Sequence, residues 1–264
     1  MEQIDPRPLV RTLVLQWAQL VNSQWPVAIE LIGTLLVHSI SFWLPSILLF
    51  LLDQLALPSL QRRKIQPLTR QPQQAAIRRC FLGAFRNQCI TTSLHVLQLA
   101  SLAFLNRPQI TYRTPPTLPR LSEFLFDLVA CTIAREILFY YGHRLLHYPS
   151  LYRRFHKQHH EFRTPIALAS LYSHPVEHIL SNLIPIALPA RIFNIHILTL
   201  WAFIAGVSIQ ATLAHCGYRM PPLLSWTPEV HDLHHEQLNV NYGLIGVLDK
   251  LHGTRSMKRR RGTA

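Results

Sequence analysis

The sequence predicts an all-α protein, a polytopic integral membrane helical bundle with a histidine-box metal site on its cytoplasmic face. Three observations support this fold class. Hydrophobic residues make up 49% of the 264 residues and charged residues 15%, whereas a soluble domain carries about 25% charged residues. Long apolar runs alternate with basic connectors. Most of the 15 histidines fall within one third of the chain.

The charge balance indicates contact with an anionic surface. Lys and Arg total 26 against 13 Asp and Glu, a formal net charge of +13. Basic residues that flank apolar spans are typical of anchors at lipid headgroups. A nucleic-acid partner would depend on charge alone, without a motif, and we expect none. The basic tail 258–261 is therefore interpreted as a juxtamembrane cluster.

Residues 1–120 predict an N-terminal membrane-anchoring region with two transmembrane helices. Glu30 is the single charged residue in the run 27–52. At about 1.5 Å per residue, this run is long enough as a helix to cross a hydrocarbon core of ~30 Å. Pro45 within it predicts a kink. A second, weaker span is predicted at 88–105. Between them the basic segment 61–79 predicts a cytoplasmic loop.

The second half predicts a third helix and a helical hairpin. The third helix starts at Leu121 and carries Glu123 and Asp127 four residues apart on one face, which we expect to look into protein. The opposite face is predicted to carry Ile133, Ile137 and Tyr140. The apolar block 179–213, broken near its middle, predicts the hairpin. Counted from the basic loop, these crossings place both histidine-rich segments on the cytoplasmic side and the connector 106–120 on the lumenal side.

Three histidine motifs point to a metal site: HRLLH at 143–147, HKQHH at 156–160 and HDLHH at 231–235. Histidines at i, i+3 and i+4 are expected to share a helix face, and imidazole is the commonest metal ligand. The segments SHPVEH and HCGY lie between these motifs, and His178 of the first stays open as a ligand. The remaining histidines, His38, His95, His196 and His252, are interpreted as structural, with the first three inside apolar spans. The predicted ligands are His143, His147, His156, His159, His160, His174, His215, His231, His234 and His235.

The number of histidines exceeds the needs of one ion and predicts two. A structural zinc site favours cysteine, and none lies within a motif. An all-nitrogen site with open positions suits iron that activates dioxygen; two zinc ions remain an alternative, although a hydrolytic HExxH motif is absent from the sequence. Six acids could orient ligands or form surface salt bridges: Asp127, Glu136, Glu161, Glu177, Asp232 and Glu236.

These motifs, in this order and with LYSHPVEH, AHCGY and NYGLIGVLDKLHGT around them, resemble the fatty acid hydroxylase/sterol desaturase superfamily. The resemblance covers 121–254, which we take as the catalytic domain, followed by a basic C-terminal tail at 255–264. The sequences of these motifs are most similar to those of the C-4 methylsterol oxidases. LYSHPVEH and AHCGY also resemble sphingoid-base C4-hydroxylases.

The resemblance implies a non-haem centre of two iron ions that uses O2, in the endoplasmic reticulum membrane. It implies electrons from NAD(P)H through cytochrome b5 or its reductase, and ligand roles for the eight motif histidines, with His174 and His215 completing the set. The leading hypothesis is a monooxygenase that oxidises the C-4 methyl group of a sterol. Alternatives are a hydroxylase or desaturase of a sphingoid base, fatty acyl chain or terpenoid/polyketide, and a non-catalytic metal-binding membrane protein. Aromatic residues that could wall the pocket are Phe139, Tyr140, Tyr141, Tyr172 and Tyr242.

Overall fold

The computed structural model describes residues 7–107, 110–220 and 226–257. Within them the chain forms helices and no β-strand, which confirms the predicted all-α class. The basic residues 258–261 lie outside the described part. Seven helices form the framework: α1 (Arg7–Ser23), α2 (Pro26–Gln54), α3 (Gln74–Phe104), α4 (Leu121–Leu146), α5 (Ile184–Ile192), α6 (Ile197–Ala214) and α7 (Trp226–Gln237). Shorter helical turns join them: Pro58–Gln61, Leu68–Arg70, Pro149–Leu151, Tyr152–His156, His159–Glu161, Ala167–Leu171, Pro175–Glu177, His178–Leu183 and Val247–Leu251.

Within the described residues, α2 and α6 are long and apolar enough to cross a membrane. Large apolar side chains on α2, α3 and α4 point outward from the protein. The exposed set includes Ile32, Leu36, Ile40, Phe81, Leu97, Val129, Ile133 and Ile137. So large an exposed apolar surface is not normal for a soluble protein and indicates association with a membrane.

Helix α3 differs from the predicted span at 88–105. It is 31 residues long and begins at Gln74, so Arg78 and Arg79, expected in the basic loop, lie on its first turns. Straight-chain residues such as Gln and Arg extend a helix readily, and the preceding Pro72 limits how far it can begin toward the N-terminus. The basic segment is therefore shorter than the sequence indicated.

Helix α4 buries Asp127 of the predicted protein-facing side, whereas Glu123 of that side is half-buried and pairs with Arg113. Ile133 and Ile137 are exposed as expected, and Glu136 is buried as well. Tyr140, expected beside the two isoleucines, is instead fully buried. Its hydroxyl lies 3.1 Å from Thr254 Oγ1, and its ring stacks on His252. The C-terminal segment covers this end of α4, and a helical pattern alone does not reveal a cover supplied by distant sequence.

The predicted break in the apolar block 179–213 is present between α5 and α6, at a turn in which Asn194 has φ 47°. The two helices pack against different neighbours, α5 against α4 and α6 against α2, so they do not form the predicted hairpin. His196 does not lie within a span as expected. It precedes α6 and caps it: Leu198 N–H donates to its Nδ1 at 3.0 Å. The contact of His95 agrees with its structural interpretation, because its Nε2 lies 3.0 Å from the buried carboxylate of Glu30.

The N-terminal helices pack into the same core as the histidine-bearing half. Trp17 of α1 and Ile29 of α2 form one buried cluster with Leu200 and Phe203 of α6. A second cluster joins α3 to the turn Ala167–Leu171. These contacts surround the short segments that carry the histidines and hold them against the ends of α4 and α6.

Candidate metal centre

The structure brings nine of the ten predicted ligands together in two adjacent groups. Within each group, the nitrogen atoms available for ligation all lie within 4.8 Å of one another. The groups adjoin each other, with the ring centroids of His160 and His235 4.6 Å apart. The first group consists of His143, His147, His156, His160 and His234, and the second of His159, His215, His231 and His235.

Two of the motifs divide their histidines between the groups. In HKQHH, His156 and His160 enter the first group and His159 the second. In HDLHH, His231 and His235 enter the second group and His234 the first. Since successive residues of an α-helix rotate by about 100°, positions i+3 and i+4 point about 100° apart. On α7 the three histidines therefore share one face but are spread across it, and both motifs reach both groups.

In both groups the Nε2 atoms converge. In the first, His156 Nε2 lies 3.1 Å from that of His143, 2.9 Å from that of His147 and 3.0 Å from that of His160. In the second, His231 Nε2 lies 2.8 Å from that of His215 and 3.1 Å from that of His235. Such close nitrogen contacts are what ligands of a shared ion would show.

Backbone carbonyls determine which nitrogen faces the centre. His143 Nδ1–H donates to Tyr242 O at 2.8 Å, and His234 Nδ1–H donates to Val240 O at 2.7 Å. In the second group, His215 Nδ1–H donates to Ala211 O at 2.8 Å. Because a neutral imidazole has one proton, the Nε2 lone pairs of these rings point inward. Facing lone pairs repel each other, and a cation between them removes that repulsion.

One carboxyl group lies beside the Nδ1 atom of a ligand ring. Glu177 Oε1 lies 2.8 Å from His156 Nδ1, and both side chains are buried. A carboxylate that accepts the second proton of a ligating imidazole orients the ring and makes it a stronger ligand. Burial also raises the pKa of Glu177 well above its usual value. Glu177 is thus placed to orient a ligand, a role that the sequence left open for six acids.

Burial keeps the imidazoles of the centre neutral. It lowers the pKa of His159 to about 4 and the pKa values of His215 and His234 to about 3, below the ordinary 6.5. Desolvation of the charged form is the main cause in each case. At pH 7 these rings carry lone pairs and can bind a metal.

A loop after α7 holds two of the carbonyls, and sequence reasoning did not foresee this role. Glu136 Oε2 accepts from Leu244 N–H at 2.9 Å, and Asp249 accepts from Tyr242 N–H at 2.8 Å and Gly243 N–H at 2.7 Å. The NYG and GVLD stretches could have signalled a turn of this kind. Buried acids thus position the backbone that positions His143 and His234.

Three further histidines lie outside the groups: the predicted ligand His174, the open candidate His178, and His252. His174 is outside both groups and precedes the turn Pro175–Glu177, where its Nδ1 accepts from Val176 N–H at 3.2 Å. His178 Nε2 lies 2.7 Å from Thr91 Oγ1 on α3. In the described part of the chain, His252 is also distant from the groups and contacts Tyr140 and Tyr141.

A small cavity of about 50 Å³ lies beside both groups. Its wall includes His143 from the first group and His159, His215 and His231 from the second. Of the five predicted aromatic residues, Phe139 lines it in the described structure. Arg135 also lines it, and its guanidinium donates to Gln210 Oε1 at 2.9 Å. The cavity could bring a small part of a substrate to the centre.

Comparison with known proteins agrees with these features. Residues 128–254 match the fatty acid hydroxylase family model. Human fatty acid hydroxylase domain-containing protein 2 is 36% identical over 250 residues, which are 92% of this chain and 72% of that protein. Methylsterol monooxygenase 2-2 of Arabidopsis thaliana is 30% identical over 86% of this chain and 84% of its own length.

Another relative is very-long-chain aldehyde decarbonylase GL1-8 of Oryza sativa subsp. indica, 29% identical over 86% of this chain and 84% of its own length. No solved structure matches the chain. These relatives are named for oxidative reactions on lipids, which supports a lipid-modifying oxidoreductase. The chain belongs to the fatty acid hydroxylase family, within the fatty acid hydroxylase/sterol desaturase superfamily.

Proposed function

We propose that this protein is a membrane-bound di-iron monooxygenase that oxidises the C-4 methyl group of a sterol with O2. The observation that carries the proposal is the pair of adjacent all-imidazole groups. The methylsterol monooxygenase among the relatives favours the sterol. The proposed ligands are the nine grouped histidines, without His174.

In the first group, the nitrogen spacing and number favour right-angled ligation of an ion such as iron over a tetrahedral zinc site. Ligands about 2.1 Å from a metal lie about 3.0 Å apart at a right angle and about 3.4 Å apart at the tetrahedral angle. In the first group, three contacts measure 2.9–3.1 Å. Five nitrogen ligands also exceed the four of a closed zinc site. The donor set thus fits an ion that prefers right-angled ligands.

Bound iron would supply the reduction of O2 and the oxidation of an unactivated C–H bond. The protein would orient the metal ligands and shield the centre from water. Glu177 and the carbonyls of Tyr242, Val240 and Ala211 hold the ligand rings in one orientation. Phe139 lines the small cavity and helps to exclude water from it.

Electrons would come from NAD(P)H through cytochrome b5 or its reductase, with the protein in the endoplasmic reticulum membrane and its histidines on the cytoplasmic side. Exposed basic residues near the centre support this arrangement. Lys157 lies within the HKQHH motif and Arg154 two residues before it, and both are exposed. Cationic side chains near the centre would attract an acidic electron carrier.

A second candidate function has the same metal centre but a different lipid substrate. The aldehyde decarbonylase among the relatives favours a long-chain substrate, such as a sphingoid base or a fatty acyl chain. A terpenoid or polyketide is the other alternative lipid. The rival from another class is a membrane protein that binds metal without catalysis.

The test is turnover in yeast microsomes that contain the full-length protein, NADPH and a panel of 4-methylsterols, sphingoid bases and long-chain aldehydes. We expect O2-dependent oxidation of the 4-methylsterol and its loss in His147→Ala, with His174→Ala as the matched histidine control that retains it. Oxidation of another lipid alone would refute the sterol assignment. If the protein binds iron but oxidises none of these lipids, the proposal that it is an enzyme is refuted.

A further inference from the structure

A second cavity, of about 200 Å³, lies between α2, α3, α6 and the turn His178–Leu183. It shares three wall residues with the small cavity at the metal centre: Ser170, Asn182 and Ala211. The two cavities therefore adjoin at this wall, beside His159 and His215. A molecule that fills the larger cavity would have one end close to the proposed metals.

The larger cavity is suited to an uncharged lipid. Much of its wall is aliphatic and includes Leu35, Leu171, Leu183, Ile186, Leu200 and Ile204. Among the described residues that line it, none is Arg, Lys, Asp or Glu. His95 lines it too, but its imidazole is paired with Glu30 at 3.0 Å. A carboxylate or ammonium group placed here would be buried without a counter-charge, which is strongly unfavourable.

Polar side chains also line this wall, among them Thr34, Thr92, Asn182 and Ser208. We call four others the polar cluster: His38, Gln88, Thr91 and His178. Gln88 is 8% exposed and His178 is 3% exposed. At Gln88 Oε1, His178 Nδ1 and His38 Nδ1, no partner in the described part of the chain meets normal hydrogen-bond geometry, although the Gln88 and His38 side chains interact with each other and His178 interacts with the Asn87 backbone. Buried polar atoms in folded proteins nearly always have partners. A ligand that offers a hydroxyl or carbonyl group would provide them.

The polar cluster belongs to the end of the cavity that meets the metal centre. His178 lies four residues before Asn182 on the same helical turn, and Asn182 lines both cavities. His178 also directly follows Glu177, whose carboxylate contacts His156. A group bound by the cluster would thus be near the carbon presented for oxidation.

We infer that the larger cavity binds the apolar body of an uncharged lipid and that the polar cluster hydrogen-bonds an oxygen of that lipid near the oxidised carbon. Gln88 Oε1 accepts from the lipid hydroxyl, and His178 Nδ1 makes the second contact. This inference rests on the proposed function and narrows its substrate class. A 4-methylsterol, whose hydroxyl is on the carbon next to C-4, has the required chemistry, whereas fatty acids and sphingoid bases bear charges.

The test is equilibrium binding to the purified full-length protein in detergent, without NADPH, so that no turnover occurs. The probes are a radiolabelled 4-methylsterol, its 3-deoxy analogue and stearic acid. We expect the wild type to bind the sterol about tenfold more tightly than the deoxy analogue, the effect of a buried hydrogen bond left unmade, and to bind stearic acid more weakly than the sterol. In Gln88→Leu this preference should disappear while iron content stays unchanged.

Gln74→Leu is the matched control, because Gln74 is an exposed residue on the same helix and lines neither of the two cavities. It should keep the wild-type preference. Equal binding of sterol and deoxy analogue by the wild type, or tighter binding of stearic acid, would overturn the inference without recourse to a variant. An unchanged preference in Gln88→Leu would do so as well. Selective binding without oxidation would instead refute the proposed function and leave the binding site intact.

Discussion

At the scale of single residues, the partner of each ring distinguishes ligands from other histidines. Several rings in the two groups turn Nε2 inward while Nδ1 faces a carbonyl or carboxyl group, as in His143 and His156. His174 instead uses Nδ1 to accept from a backbone amide. Motif spacing could predict nine members of the groups, but it could not exclude His174, because the difference depends on the turn that His174 caps.

The buried carboxylate of Glu177 provides a residue-scale prediction. Glu177→Gln keeps the side-chain size but replaces the acidic partner of His156 Nδ1 with an amide. We expect iron affinity of the first group to fall about 10–100-fold, the usual effect of losing such a partner. Iron titration of the metal-depleted protein measures it. Glu123→Gln on the same helix bundle, at a partly exposed site, is the control; equal affinities in both variants would contradict the assigned role of Glu177.

At the scale of elements, the approach of α3 to the histidine segments is closer than the sequence indicated. A Cβ on Gly83 would lie 2.4 Å from Tyr172 Cδ2. Tyr172 in turn supplies the carbonyl that accepts from His159 Nδ1–H at 3.2 Å, and its hydroxyl donates to Glu161 at 2.9 Å. The hydropathy pattern predicts a span at 88–105, which begins after Gly83. It could not predict this contact, since the contact joins positions 89 residues apart.

Gly83→Ala therefore provides an element-scale prediction. Alanine normally favours a helix over glycine by about 1 kcal/mol, but here the added methyl group must displace Tyr172. We expect a net destabilisation of about 1–3 kcal/mol and a loss of iron from the second group. Gly142→Ala is the matched control, because nothing lies within 4 Å of its Cβ position. Thermal unfolding and iron content check both variants, and a Gly83→Ala protein as stable as Gly142→Ala would refute the close packing.

At the scale of the whole molecule, α6 separates two ends of the protein. It spans 18 residues, about 27 Å, close to the ~30 Å of a hydrocarbon core. At its N-terminus, Ile197 N–H donates to Arg113 O of the connector, and at its C-terminus His215 enters the second group. The sequence predicted these opposite sides from charge counting. It could not predict that the N-terminal helices share the core of α6, because that depends on three-dimensional packing.

This geometry makes the topology testable. In sealed microsomes, cysteines introduced at the exposed positions Lys157 and Met257 should react from the cytoplasmic side with a membrane-impermeant maleimide. A cysteine at the exposed Arg107 should react after permeabilisation alone. The experiment uses a Cys89→Ser background, since Cys89 is the exposed native cysteine among those described. Labelling of Lys157→Cys and Met257→Cys from different sides would rule out one shared centre.

The central claim, two ions held by two groups of imidazoles, is tested most directly by counting iron. We expect two iron ions per chain in the purified wild-type protein. His147→Ala, in the first group, and His231→Ala, in the second, should each lose one ion or both, because each group would lack a ligand. His174→Ala should keep two. A wild-type protein with one ion, or with two after removal of either grouped histidine, would contradict the account.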